Sequence, residues 1–87
     1  MATIMQWNIR GLRANWEELH LLIQDLSPRV ICLQETMVGH RTNMCPAGYL
    51  SLHSPMPADG GHHGGSAIFC QRDVPFLYSV SRHPFKL

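Results

Sequence analysis

Two short β-rich apolar runs separated by an amphipathic helical segment predict an α/β fold for this chain of 87 residues. The first run, Thr3 to Trp7, ends at Asn8, and Gly11 relieves the backbone where the chain turns. Asn15 then reads as a helix N-cap. Glu18 three residues on completes a capping-box pattern, and Glu17 with Glu18 places negative charge where the helix dipole favours it. Apolar residues at Trp16, Leu19, Leu22, Ile23 and Leu26 keep helical period, leaving Glu17, Glu18, Gln24 and Asp25 mostly to solvent. Ser27-Pro28 ends the helix, since a residue before proline avoids the helical region. Val30-Ile31-Cys32-Leu33 is an unbroken apolar run and predicts a strand covered on both faces, as in a parallel sheet. Strand, helix and strand then form a right-handed crossover.

From Met37 to Gly48 the chain reads as loop, with Gly39, Asn43, Pro46 and Gly48 as breakers. Tyr49 to His53 alternates as a strand, and Pro55 and Pro57 stop it. Asp59 to Gly65 is a flexible Gly/His connection leading into a strand at Ser66 to Cys70, and Leu77 to Val80 is a candidate for one more. No internal repeat is visible. The sequence closes at Pro84-Phe85-Lys86-Leu87 without a capping element, and a sheet left there presents an unpaired edge and an uncovered apolar face. The expectation is therefore an incomplete domain over residues 1–87.

Apolar content of 45% and a charged fraction of 15% indicate a globular chain. A net charge of +1 gives no strong field, so attraction to nucleic acid would have to come from local placement of Arg10, Arg13, Arg29 and Arg41. No basic stripe or aromatic interleaving accompanies these arginines, and they read first as solvated surface. Three cysteines is an odd number, with Cys32 and Cys70 inside apolar runs, which predicts buried free thiols and a reduced, intracellular compartment. Thr3 to Trp7 is far too short for a signal peptide or a membrane span, so no membrane partner is expected.

Chemistry is predicted at Asn8 and Glu35. In open α/β sheets ligands bind beyond the carboxyl ends of parallel strands, and both residues fall at such ends. Mg²⁺ prefers hard oxygen ligands and commonly uses one or two carboxylates plus a substrate phosphate, which suits Glu35 as a ligand. The Asn8 amide is placed to orient a phosphate or its attacking water. Alone, Glu35 reads as a solvated strand-end carboxylate and Asn8 as a turn residue satisfying its own backbone. Together, with Trp7 before the asparagine and Gln34-Glu35-Thr36 after a buried strand, they form a more particular pattern.

That pattern resembles the endonuclease/exonuclease/phosphatase superfamily, and within it the apurinic-endonuclease-like nuclease domain of non-LTR retrotransposons. The resemblance runs from Ile4 to about Phe76. It rests on Gln6-Trp7-Asn8-Ile9-Arg10-Gly11-Leu12-Arg13, on Val30-Ile31-Cys32-Leu33-Gln34-Glu35-Thr36, and more weakly on Gly64-Gly65-Ser66-Ala67-Ile68-Phe69 with Arg72-Asp73-Val74-Pro75. It implies the N-terminal part of a DNase I-like four-layer α/β sandwich, two packed β-sheets flanked by helices. It further implies that residues 1–87 are the N-terminal third to half of the domain, with phosphodiester cleavage by Mg²⁺ or Mn²⁺, Asn8 as the active-site asparagine and a residue of the metal site, and Glu35 as the metal-binding glutamate. Arg10 stands where the repair members carry an aspartate, which favours the retrotransposon branch.

The family's Tyr, its Asp-x-Asn pair and its final Asp-His pair have no match in this sequence. His83 follows Arg82 rather than an aspartate and takes no general-base role, while Tyr49 and Tyr78 read as strand packing residues. The isolated chain is thus expected to bind metal weakly or not at all and to lack appreciable nuclease activity. In a complete protein the partners implied are DNA, the rest of the nuclease domain and a reverse-transcriptase domain, with action in the nucleus. Two rival readings remain: a fragment of a phosphatase or phosphodiesterase of the same superfamily, and a non-catalytic scaffold or relic. His62 and His63 point apart on an extended segment and read as loop rather than zinc ligands. Trp7 and Trp16 read as packing, and Arg13 is open to either a DNA phosphate contact or ordinary exposure.

Overall fold

The computed structural model describes residues 3–39, 43–55 and 64–73. In chain order it contains β1 (Ile4–Asn8), α1 (Trp16–Leu26), β2 (Val30–Gln34), β3 (Tyr49–Ser54) and β4 (Ser66–Gln71). These form one four-stranded sheet in the order β1-β2-β4-β3. β1 and β2 run parallel across α1, whereas β4 pairs antiparallel with both β2 and β3. The candidate strand at Leu77 to Val80, together with His62, His63 and His83, lies outside the described residues.

Side chains alternate across a strand, so the register sorts the sheet into two faces. One face presents Met5, Trp7, Ile31, Leu33, Ala67 and Phe69, and the core is built there with Leu19 of α1 and with Ile9, Leu12, Val38 and Tyr49. Trp7 and Trp16 both pack against this cluster, and Tyr49 is buried with its hydroxyl donating to the Pro28 carbonyl. All three aromatic residues are therefore packing residues, as their positions in the sequence predict.

The other face carries Ile4, Val30, Cys32, Leu50 and Ile68, with Ile4 69% and Leu50 36% exposed. Here β2 departs from expectation. Its buried residues are Ile31 and Leu33, while Val30 and Cys32 are only half-buried, because the core cluster is drawn from the α1 side alone. An unbroken apolar run signals capacity to be covered on both faces; the described core cluster uses one, and on the other Cys70, in register with Val30 and Leu50, is buried as well. The three thiols are free; Cys70 is buried, and desolvation pushes its thiol above the ordinary value, with Arg29 opposing and Asp73 adding to the rise.

The helix also differs in detail. Leu19 is its one fully buried residue, Ile23 packs alongside, and Leu26 is 47% exposed, so the predicted apolar stripe is used only as far as Ile23. Ser27 ends the helix in the left-handed region at φ 44, its amide bonding the Ile23 carbonyl at 2.8 Å, and Pro28 follows buried. Beside it Arg29 meets Asp73 at 3.2 Å and the Gln71 amide oxygen at 3.4 Å. These groups are open to solvent, so that ion pair adds no more than about 1 kcal/mol. No helix among the described residues is long and apolar enough to cross a membrane.

Candidate active site

Because β1 and β2 are parallel, their carboxyl ends emerge on the same side of the sheet. The register sets Asn8 opposite Gln34, about 4.8 Å away across the ladder, with Glu35 one residue further on. Asn8 is exposed and shares its face with Gln6 and Ile4, opposite to Met5 and Trp7. Glu35 is half-buried. The two residues singled out by sequence are thus brought to one edge of the sheet.

Pairing does not stop where the strands do. The Ile9, Gly11 and Leu12 amides donate to the carbonyls of Gln34, Glu35 and Thr36 at 3.0, 2.9 and 2.9 Å. On the other side the Thr36 and Met37 amides donate to the carbonyls of Gly65 and Gly64 at 3.1 and 3.0 Å. Three chain segments are laced into one platform under Asn8 and Glu35. The Gly64-Gly65 pair, expected to be flexible, is hydrogen-bonded into it; φ values of 112 and 85 explain why glycine stands at both positions.

Left-handed backbone is concentrated here as well. Arg10, Glu35 and Met37 have φ of 51, 52 and 56, and Gly11 has 114; Ser27 at the end of α1 is the other non-glycine example among the described residues. Such conformations cost free energy outside glycine and persist where surrounding bonds dictate them, commonly at functional sites. The Arg10 side chain is exposed. Arg10→Gly is therefore expected to raise stability by up to about 1 kcal/mol, because relief of the left-handed strain outweighs the added freedom of the unfolded chain. A thermal melt checks this, and a lower midpoint would show that the arginine side chain is itself stabilising.

Asn15 corrects the sequence expectation most directly. It occupies the N-cap position before Trp16, but its side chain makes no cap bond, so the capping box with Glu18 does not form. Its Nδ2 instead donates to the Ile9 carbonyl at 2.7 Å and the Gly11 carbonyl at 3.1 Å. Thr36 was also not a sequence candidate: it is fully buried, and its Oγ1 has no hydrogen-bond partner among the described residues. The run Val30 to Thr36, four apolar residues and then Gln-Glu-Thr, carries no signal that separates a buried threonine from an exposed one.

Glu35 offers carboxylate oxygens and Asn8 an amide, the hard-oxygen chemistry that suits Mg²⁺ or Mn²⁺. In the residue after Glu35, the buried Thr36 hydroxyl is a further polar oxygen without a hydrogen-bond partner among the described residues. Among the described residues no three His, Cys, Asp or Glu side chains converge as a metal site. The residues present fit one wall of such a site.

The family described as Endonuclease/Exonuclease/phosphatase matches residues 5–86, nearly the whole sequence. The chain belongs to that family. No curated protein matches it at a significant level. Among solved structures, a 3′ phosphatase, NExo, from Neisseria bound to a product DNA hairpin is similar over 99% of this chain and 35% of its own, with TM-score 0.70 and 20% identity. An AP endonuclease from Archaeoglobus fulgidus matches 80% of this chain and 27% of its own, with TM-score 0.67 and 24% identity. The APE2 catalytic domain of Xenopus laevis matches 78% of this chain and 23% of its own, with TM-score 0.62 and 33% identity. The family member described here thus spans between about a quarter and a third of the length of these structures. Its four-stranded sheet and helix match the N-terminal part of the DNase I-like fold, the four-layer α/β sandwich.

Proposed function

We propose that this chain is the N-terminal portion of a divalent-metal-dependent endonuclease that nicks DNA for non-LTR retrotransposition. The observation that carries the reading is the shared edge of β1 and β2, where Asn8 and Glu35 stand on one hydrogen-bonded platform. Residues 1–87 form an incomplete domain in this proposal, and the missing carboxylates and histidine come from sequence that completes it. Arg10, where repair members carry an aspartate, supports the retrotransposon branch.

Glu35 holds the metal through its carboxylate. Asn8 uses its amide to orient the scissile phosphate and the water that attacks it. Bound Mg²⁺ or Mn²⁺ supplies neutralisation of charge on the phosphate oxygens and acidifies a water. DNA is the substrate, a reading supported by the likeness to a 3′ phosphatase bound to a DNA hairpin. A reverse-transcriptase domain is the expected companion in the complete protein, which would work in the nucleus.

Phosphoryl transfer needs the water activated, the developing charge neutralised and the leaving oxygen stabilised, and one carboxylate with one amide cannot do all three. Purified chain incubated with supercoiled plasmid and Mg²⁺ is therefore expected to leave the plasmid supercoiled. Metal-dependent nicking that disappears in Glu35→Ala would overturn the incomplete-site reading. The reading frame following Leu87 separates the nuclease from its main rival. A reverse transcriptase there supports retrotransposition, whereas the uninterrupted motif set of a phosphatase would replace it with phosphomonoester hydrolysis on the same half-site.

A further inference from the structure

We propose that Asn15 is a positioning residue for the Asn8–Glu35 edge, acting as a two-donor clamp on the loop that follows β1. The proposal rests on the reading of Glu35 as a metal ligand. An N-cap side chain ordinarily accepts a bond from the first-turn amides, and Asp or Ser serves that purpose as well as Asn. Asn15 turns away from the helix and spends its Nδ2 on the carbonyls of Ile9 and Gly11. Both partners are acceptors, which fixes the amide orientation with nitrogen facing the loop. Only a side chain with two donors at this length makes both bonds: aspartate has none, and serine has one.

The clamped loop is the one through which the two site residues are joined. Between its clamped carbonyls lie Arg10 and Gly11, both left-handed, so the turn holds its shape only while its polar groups are tied. Asn15 ties it on one side, its Nδ2 holding both carbonyls and its main-chain amide also reaching the Gly11 carbonyl at 3.2 Å, so the Ile9 carbonyl depends on the side chain alone. On the other, the Gly11 amide bonds the Glu35 carbonyl at 2.9 Å, and the Ile9 amide bonds Gln34 at 3.0 Å. Glu35 is itself left-handed, so the direction in which its side chain leaves the backbone follows from the main-chain bonds that hold residue 35. Asn15 also accepts the first helical bond, from the Leu19 amide at 3.0 Å, so α1 anchors the clamp.

The test compares ¹⁵N-labelled chain with its Asn15→Asp and Asn15→Ser variants by NMR, using Mn²⁺ as the probe. Mn²⁺ is expected to broaden the Glu35 and Asn8 signals of the parent first. Asn15→Asp keeps the side-chain length and the main-chain bond from the Leu19 amide and adds a negative charge near the site, which by charge alone would tighten Mn²⁺ binding. The clamp predicts the opposite sign: about tenfold more Mn²⁺ for the same broadening, in the range for loss of a supporting residue, with signals of β3 and β4 unmoved. Asn15→Ser, with one donor, is expected to fall between. Hydrogen exchange at Gly11 and Leu12 is expected to quicken about tenfold relative to Ile31 in Asn15→Asp, as local opening requires. Unchanged exchange at those amides, or Mn²⁺ binding as tight as the parent's, would overturn the proposal. A parent chain in which Mn²⁺ leaves Glu35 untouched would instead sink the metal reading, and exchange at Gly11 and Leu12 then decides the clamp by itself.

Discussion

Truncating Phe69 to alanine is expected to cost about 3–5 kcal/mol, a large share of what holds a domain of this size together. Phe69 is fully buried and the largest such side chain, on β4, between Ile31 of β2 and Ser51 of β3. Its ring meets that of His53 edge-on at 5.7 Å, and the His53 Nε2–H is itself held by the Met44 carbonyl at 2.8 Å. Removing the ring leaves a cavity where β4 joins the two halves of the sheet, and neighbours fixed by ladder hydrogen bonds cannot collapse into it. A small domain has only about 5–15 kcal/mol of stability in total, and each kcal/mol moves the midpoint of one this size by about 4–8 °C. Thermal and urea melts followed by circular dichroism check the result. Leu50→Ala, on the exposed face, is the comparison and should change the midpoint little. Equal losses at the two positions would mean that the core does not lie on the α1 face.

The largest functional effect is expected at Glu35. In a longer chain that completes the domain, Glu35→Gln keeps the side-chain volume, removes the charge, and should lower metal-dependent nicking by at least about 10²–10³-fold, the scale for losing one group that stabilises transition-state charge. Single-turnover nicking across a Mn²⁺ series separates the outcomes. A loss restored by high Mn²⁺ identifies Glu35 as a metal ligand. An unchanged rate at low metal would remove it from the chemistry.

Much of this was legible because the signals are local. β-rich runs closed by a polar residue marked β1 and β2, alternation marked β3, and a periodic stripe with its proline stop marked α1 to within a residue. The same closing residues pointed to Asn8 and Glu35. Asn15 shows where such reading ends. A side chain with both donor and acceptor ahead of a helix has a good local use as a cap, and the alternative depends on where the carbonyls of Ile9 and Gly11 lie after β1 has paired with β2. The buried Thr36 and the left-handed Arg10, Glu35 and Met37 were hidden for a related reason, since they are imposed by ladder bonds continuing past the strand ends.

By itself the sequence determined the kinds and order of the elements, the α/β class and the family, because propensity, period and motif are properties of short windows. Only the tertiary structure decided that β4 enters antiparallel between β2 and β3, which sheet face is used as core, and how three loops lock together beneath Asn8 and Glu35. Pairing and facing are choices among partners far apart in the chain. They are set by burial and hydrogen-bond satisfaction summed over the whole sheet, which no single segment contains.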